Sequence, residues 1–562
     1  MTQRLSIGFL ALMILVTIPN AFATTYYVAA NGSDSNGGTS KTAPWAHAPG
    51  MPNCVQSCAA TTPKPGDQFI FRGGDTWHFG NSGASPYAGS NWNFSWNGTS
   101  GSPIYIGVDL TWYSGSSFTR PILTGDNPQW NGTSFPSSCA YDFGSRLNGL
   151  VLLGSYNTFD NFEIAGVCWS GNLSGQNPGM VNPGSYDLVS NIYCHGWSEV
   201  STAIDNFNCF AYNGTGTHIT FDHNVMSGDD TPHWPAGNVN CQYNNAAPCA
   251  TGSGIYDRAY EIKNNVFHLM HLMAVTIDTY TSHDNLFEYL ESPPTSAMLN
   301  AQHEDALMVY AGGSSQSGVT ELFYNNVARH TYANQSFYIP VSAGMTSYVF
   351  NNVFYDIDWN GSYGVPSNCL QFNAQSSGTQ TLYFYNNTML MDATGGGCQL
   401  GMWGNSGGNA FGIPWNGPIH AANNHLIGFS TLSSVALSRS SGASYNLVDD
   451  GGNLVQTLAT ASTQGYVSTT SPVGYAPVSS SGTTVGTGIN MSNLCATFSV
   501  DSDLCSGTSG AVQYANGAGG KIALSPAVTI VPRGTTWDVG AFQFKDATAG
   551  PNAPTNLSAT VQ

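Results

Sequence analysis

One short pattern recurs along this chain: an apolar residue, two spacer positions, an asparagine, then one or two apolar residues. It reads LVSNIY (188–193), FDHNVM (221–226), IKNNVF (262–267), FYNNVA (323–328), VFNNVF (349–354) and FYNNTM (384–389). Looser copies stand at DNFEI (160–164), DNLFEY (284–289) and ANNHLI (422–427). The aligned asparagines are Asn161, Asn191, Asn224, Asn265, Asn285, Asn326, Asn352, Asn387 and Asn424, spaced 20 to 41 residues apart. A propeller would demand a steadier period, whereas a solenoid keeps strand and turn in every coil and lets the loops vary. Helical periodicity is nearly absent, and short β-rich runs alternate with Gly/Ser/Asn turns. Stacked asparagines in equivalent turns would bond to one another and to backbone, so the NN pair reads as structural.

The first 23 residues read as an export signal. Arg4 precedes the 14-residue apolar run LSIGFLALMILVTI, and AFA (21–23) offers small residues for cleavage after Ala23. That run is short of the about 20 residues a membrane helix needs, and no later segment reads as transmembrane. The expectation is a secreted, periplasmic or cell-surface protein with no membrane insertion after cleavage. Twelve cysteines, an even number, then read as disulfides, and no paired CxxC suggests zinc. Several lie close in sequence: Cys54/Cys58, Cys241/Cys249 and Cys495/Cys505. Loss of Arg4 would take the net charge from −19 to −20, which argues against nucleic acid and anionic membrane as partners.

Particular segments carry a family resemblance. YYVAANGSDSNGGTS…APW (26–45) with PGDQFIFRGGDTW (65–77), then GSPIYIGVD (101–109) and RPILTGDN (120–127), resemble the opening of secreted pectate-lyase-like β-helix proteins. SPAVTIVPRGTTWDVGAFQF (525–544) resembles their C-terminal closure, ending in a WDVGAF strand. The resemblance implies an all-β chain: a single-stranded right-handed parallel β-helix of about ten or more coils over residues 24–545. Within it, 24–130 would form the N-terminal cap and first coils, 131–440 the central coils, and 441–545 the last coils and closure. Residues 546–562 resemble the start of a fibronectin-III-like domain. The group is functionally mixed, so its fold implies little about chemistry. Cys369 and Cys398 precede similar strands one coil apart and are expected to bond, as are Cys139 and Cys168.

Charge is scarce, at 8% of residues, yet residues 222–305 hold 11 of the 32 acidic residues and 6 of the 13 histidines. Successive coils would bring Asp257 with Arg258, Asp278, and Glu304 with Asp305 into rough register. His303 is expected to share a face with Asp305. Glycoside hydrolysis needs two carboxylates about 5–5.5 or 6.5–9.5 Å apart. SGDDTPHW (227–234) is faintly similar to the GDD element of polygalacturonases, whose NTD, GHG and RIK companions are not found here. DDTPH (229–233) distantly resembles the DPH of mannuronan epimerases. Polysaccharide β-elimination would instead use calcium on carboxylates such as Asp229, Asp230 and Glu304, with Arg258 or Lys263 as base. Trp234, Tyr256 and Tyr310, with Asp230, are candidates for holding sugar. His268 and His271 read as packed residues. The expected function is cleavage of an extracellular polysaccharide by a monomeric chain, as hydrolase or lyase, with calcium the one cofactor suggested. The alternative is a non-catalytic glycan-binding, adhesion or structural surface protein.

Overall fold

The computed structural model describes residues 23–79, 91–127, 139–141, 150–169, 179–199, 207–211, 216–230, 252–270, 272–277, 281–290, 305–310, 320–331, 335–341, 343–357, 368–374, 378–391, 398–403, 415–438, 444–469, 471, 473–497, 505–508 and 530–544. Three long sheets of 13, 12 and 11 strands run through it, here sheets 1, 2 and 3. Each coil gives a strand to sheet 1, then to sheet 2, then to sheet 3, and returns to sheet 1 one position further on. Neighbouring strands pair in parallel. The result is a right-handed parallel β-helix.

Strand alternation builds the core. Phe221, Ile262, Phe323, Val349 and Phe384 of sheet 1 face inward, as do Met226, Phe267, Phe287, Phe354 and Met389 of sheet 2. Ile255, Ala274, Leu307, Phe337 and Leu370 of sheet 3 complete one continuous buried cluster. Like residues stack from coil to coil; the Phe267 and Phe287 rings stack nearly parallel with centroids 4.7 Å apart.

From the Asn157–Asp160 strand to Leu454–Gln456, every passage from sheet 1 to sheet 2 takes two residues. The first adopts a left-handed backbone, as at His223, Asn264, Asp284, Asn325, Asn351, Asn386 and Asn423. Asparagine and aspartate tolerate that conformation better than other side chains. The second carries the ladder asparagine. This explains the NN doublet and corrects the alignment at its start. Asn161 and Asn191 take the left-handed position, and Ile192 occupies the ladder position. The ladder begins at Asn224, whose Oδ1 accepts the Ile192 N–H at 2.9 Å, and extends past Asn424 to Asn453.

Cys139–Cys168 and Cys369–Cys398 are bonded as expected, with Cα separations of 5.5 and 4.6 Å. Cys54–Cys58 and Cys495–Cys505 are bonded too. Cys194–Cys209, which the sequence did not suggest, crosses the core from sheet 2 to sheet 3. The WDVGAF segment departs from its expected form. Residues 533–544 form no strand; Trp537, Ala541 and Phe542 pack on the outside of earlier coils. There they meet Val353, Leu390 and Ile427 of sheet 2 and Phe350 and Tyr385 of sheet 1. The export signal and residues 546–562 lie outside the described residues.

Candidate functional site

Variable chain length surrounds sheet 3. Connections entering it from sheet 2 range from one residue (271) to 26 (125–150), and those leaving it for sheet 1 from one residue (258) to 12 (404–415). Tyr256 and Asp257 end the Gly252–Asp257 strand, and Arg258 alone forms the next corner. Asp305 and Tyr310 begin and end the Asp305–Tyr310 strand, two positions along the same sheet.

Pairing sets which of these residues meet. Asp257 aligns with Thr276, and Thr276 with Val309, so Tyr310 lies one residue beyond the level of Asp257. Asp305 lies four residues before that level and aligns instead with Gln335 and Asn368. Four residues of rise and two strand spacings put the Asp257 and Asp305 Cα atoms about 16 Å apart. The expected rough register is therefore not what the strands adopt: Asp257, Arg258 and Tyr310 gather at one end of sheet 3, and Asp305 stands at the other. Sequence could not reveal this, because the intervening connections differ in length. Asp278, His303, Glu304 and Trp234 lie outside the described residues.

Asp229 and Asp230 follow the Val225–Ser227 strand of sheet 2 and turn back onto neighbouring coils. Asp230 Oδ2 accepts from His195 Nδ1 at 2.7 Å, and its Oδ1 takes the Gly196 N–H at 2.8 Å. Glu163 faces the other ring nitrogen at 3.2 Å. Burial alone would depress the His195 pKa, but hydrogen bonds and charge from Asp230 and Glu163 outweigh it and push it up to about 9. Asp229 similarly faces His268 Nε2 at 3.2 Å, while Glu288 takes Nδ1 at 2.8 Å. Glu288 also accepts from Arg329 Nε at 2.7 Å. Burial favours the neutral form of Glu288, yet His268 and Arg329 hold it ionised. Both aspartates thus already serve cations of the protein. That argues against the expected calcium set, and among the described residues no group of three His, Cys, Asp or Glu is arranged to hold a metal. His268 sits in the Val266–Met270 strand; His271 lies outside the described residues. Lys263 pairs with Glu261 at 2.8 Å.

A second group, missed by sequence, stands at the corner between sheets 2 and 3. His330 donates through Nδ1 to the Asp356 carboxylate, and its buried Nε2 has no hydrogen-bond partner. The Tyr289 ring stacks on the His330 imidazole at 4.6 Å. In regular strands all three would face the core, because Glu288, Arg329 and Tyr355 before them face out. Left-handed backbone at Tyr289, His330 and Asp356 (φ 59°, 50° and 51°) turns them outward instead. Alternation patterns carry no signal for such a reversal.

No protein-family model matches the sequence, and no curated protein does. Among solved structures, the chain is similar to pectate lyase Pel9A, with 16% identity over 93% of this chain and 98% of that one, at a TM-score of 0.39. It is also similar to the selenomethionine form of a GH136 lacto-N-biosidase from Eubacterium ramulus, with 11% identity over 77% and 68% of the two chains and a TM-score of 0.39. A rhamnogalacturonan lyase matches at 13% identity over 76% and 84%, with a TM-score of 0.33. Likenesses this distant carry no weight for chemistry. The class of the molecule, a right-handed parallel β-helix, rests on its own strand pairing.

Proposed function

We propose that this is an exported enzyme that binds an extracellular polysaccharide along sheet 3 and cleaves it, by hydrolysis or β-elimination. The observation that carries this reading is the placement of variable chain length. In the coils from Asn157 to Gln456, the long connections all border sheet 3, whereas the corner between sheets 1 and 2 is a constant two residues. Loops raised on a rigid scaffold are where binding and catalysis concentrate. Tyr256 and Tyr310 would pack against sugar rings, Arg258 would act as base in elimination, and Asp257 would steer it. Asp278, Asp305, His303, Trp234 and Glu304 remain candidates on the same central coils. Asp230 is less suited to sugar, being held by His195 and Gly196.

The test is a panel of polysaccharides assayed for reducing ends and for ultraviolet-absorbing unsaturated ends. A hydrolase scores in the first alone, and a lyase in both. A chain that binds a glycan but scores in neither is the non-catalytic surface protein. The pairing of Asp229 and Asp230 inside the fold favours that second reading. Export is tested by N-terminal sequencing of the extracellular protein, expected to begin at Thr24.

A further inference from the structure

The His330–Asp356 pair has a feature that packing does not explain. A buried ring nitrogen without a partner is costly, and native structures rarely leave one. Here it belongs to an imidazole whose other nitrogen is held by a carboxylate, the arrangement that orients a histidine for proton transfer through the free nitrogen. Hydrogen bonding to His330 comes first among the causes that hold the Asp356 carboxylate below its ordinary range, with burial opposing. Groups with charge or acidity near the ring are Arg329, engaged by Glu288, and the Tyr289 and Tyr355 rings, the latter edge-on at 6.4 Å. Tyr289 is itself 38% exposed, so the stack reaches the surface.

Position adds to this. Tyr289, His330 and Asp356 belong to the three coils whose sheet 3 strands begin with Asp305, Gln335 and Asn368. The connection after His330 has only three residues (332–334), whereas those in the coils on either side have 14 (291–304) and 12 (356–367). The dyad therefore stands where sheet 2 strands lead into sheet 3, at the end of sheet 3 where Asp305 stands.

We propose that His330, positioned by Asp356, is the proton-transferring residue of the site and that the reaction is hydrolytic. This rests on the polysaccharide reading above. A water held against Nε2 gives a proton to the ring as its oxygen bonds to the glycosidic carbon. The carbon–oxygen bond to the leaving sugar breaks on the opposite face with its electron pair on the departing oxygen, which takes a proton from solvent water. The imidazolium returns its proton to solvent. Asp356 keeps the Nδ1 proton in place throughout.

The experiment compares wild type, His330→Gln, His330→Ala and Asp356→Asn on the polysaccharide that wild type cleaves. The expected result is a loss of about 100-fold or more in kcat for His330→Gln, the scale of general acid–base catalysis, with KM little changed. Added imidazole should restore part of the His330→Ala activity, and Asp356→Asn should alter the pH profile as well as the rate. In wild type, carbethoxylation of His330 by diethylpyrocarbonate should be blocked by bound polysaccharide; this needs no variant to fold. Wild-type kcat in His330→Gln, unsaturated products, or His330 labelling indifferent to polysaccharide would each overturn the dyad while leaving the polysaccharide reading intact. A wild type that cleaves nothing would remove that reading, and the dyad's role with it.

Discussion

The asparagine at the tight corner is the most specific single choice in the chain. Asn285 donates from Nδ2 to the Ile262 carbonyl at 2.9 Å and to Asn326 Oδ1 at 3.0 Å. Its Oδ1 accepts the N–H and Nδ2–H of Asn265 at 2.9 and 3.0 Å. Alanine would leave the Ile262 carbonyl and the Asn265 N–H without these partners where water does not reach, while Asn265 Nδ2 keeps the Phe221 and Lys263 carbonyls. Each such orphan costs about 1–3 kcal/mol, so Asn285→Ala is expected to lower the unfolding free energy by about 2–4 kcal/mol in a denaturant titration. His195 makes a prediction in pH. Its folded pKa, about 9, lies above the unfolded value of about 6.5. Its stabilisation is therefore complete below pH 6.5 and is lost as pH rises through 9. The wild-type Tm should fall across that window, and His195→Gln should flatten the fall; equal slopes would show that the ring does not hold its proton. The asparagines were legible because a corner of constant length keeps them in a local pattern. His330 and Asp356 were not, because their pairing spans a coil and depends on a backbone reversal.

At the scale of elements, strands were easier to read than their register. The Gly252–Asp257 and Asp305–Tyr310 strands fall where apolar, β-branched and aromatic residues predict them, and both join sheet 3. Their relative shift depends on connections of 1 to 14 residues, which no periodicity constrains. The consequence can be measured by a double-mutant cycle. With Asp257 and Asp305 about 16 Å apart, Asp257→Asn and Asp305→Asn should act independently. Their effects on kcat/KM should multiply. A double variant no worse than the poorer single one would mean that the two carboxylates work as one pair and that the register is wrong. The cross-coil disulfides were legible for the opposite reason: Cys369 stands at the start of, and Cys398 just precedes, strands that pair directly, Leu370 aligning with Leu400.

For the whole molecule, the repeat predicted a stack of coils, and a stack is what forms. What it did not predict is that the chain returns along its own outside. A closing strand and an external strap can share the same apolar pattern, since Trp537, Val539 and Ala541 alternate in either case. The strap is held by Arg533, buried beneath it. Arg533 Nη2 donates to Asn351 Oδ1 at 2.9 Å and to the Gly540 carbonyl at 3.0 Å, and Nη1 to the Asp538 carbonyl at 2.9 Å. Burial lowers its pKa to about 10, which still leaves it charged at neutral pH. In a solenoid each coil touches only its neighbours, so a local loss need not spread. Arg533→Ala would remove the donor to Asn351 Oδ1 and to two carbonyls and loosen the strap from Val353, Leu390 and Ile427. Hydrogen exchange should then accelerate from the Val327–Thr331 strand to the Leu454–Gln456 strand, and remain at wild-type rates in the coils before Asn224. Uniform acceleration along the chain would mean that the coils unfold as one unit, with the strap clamping all of them.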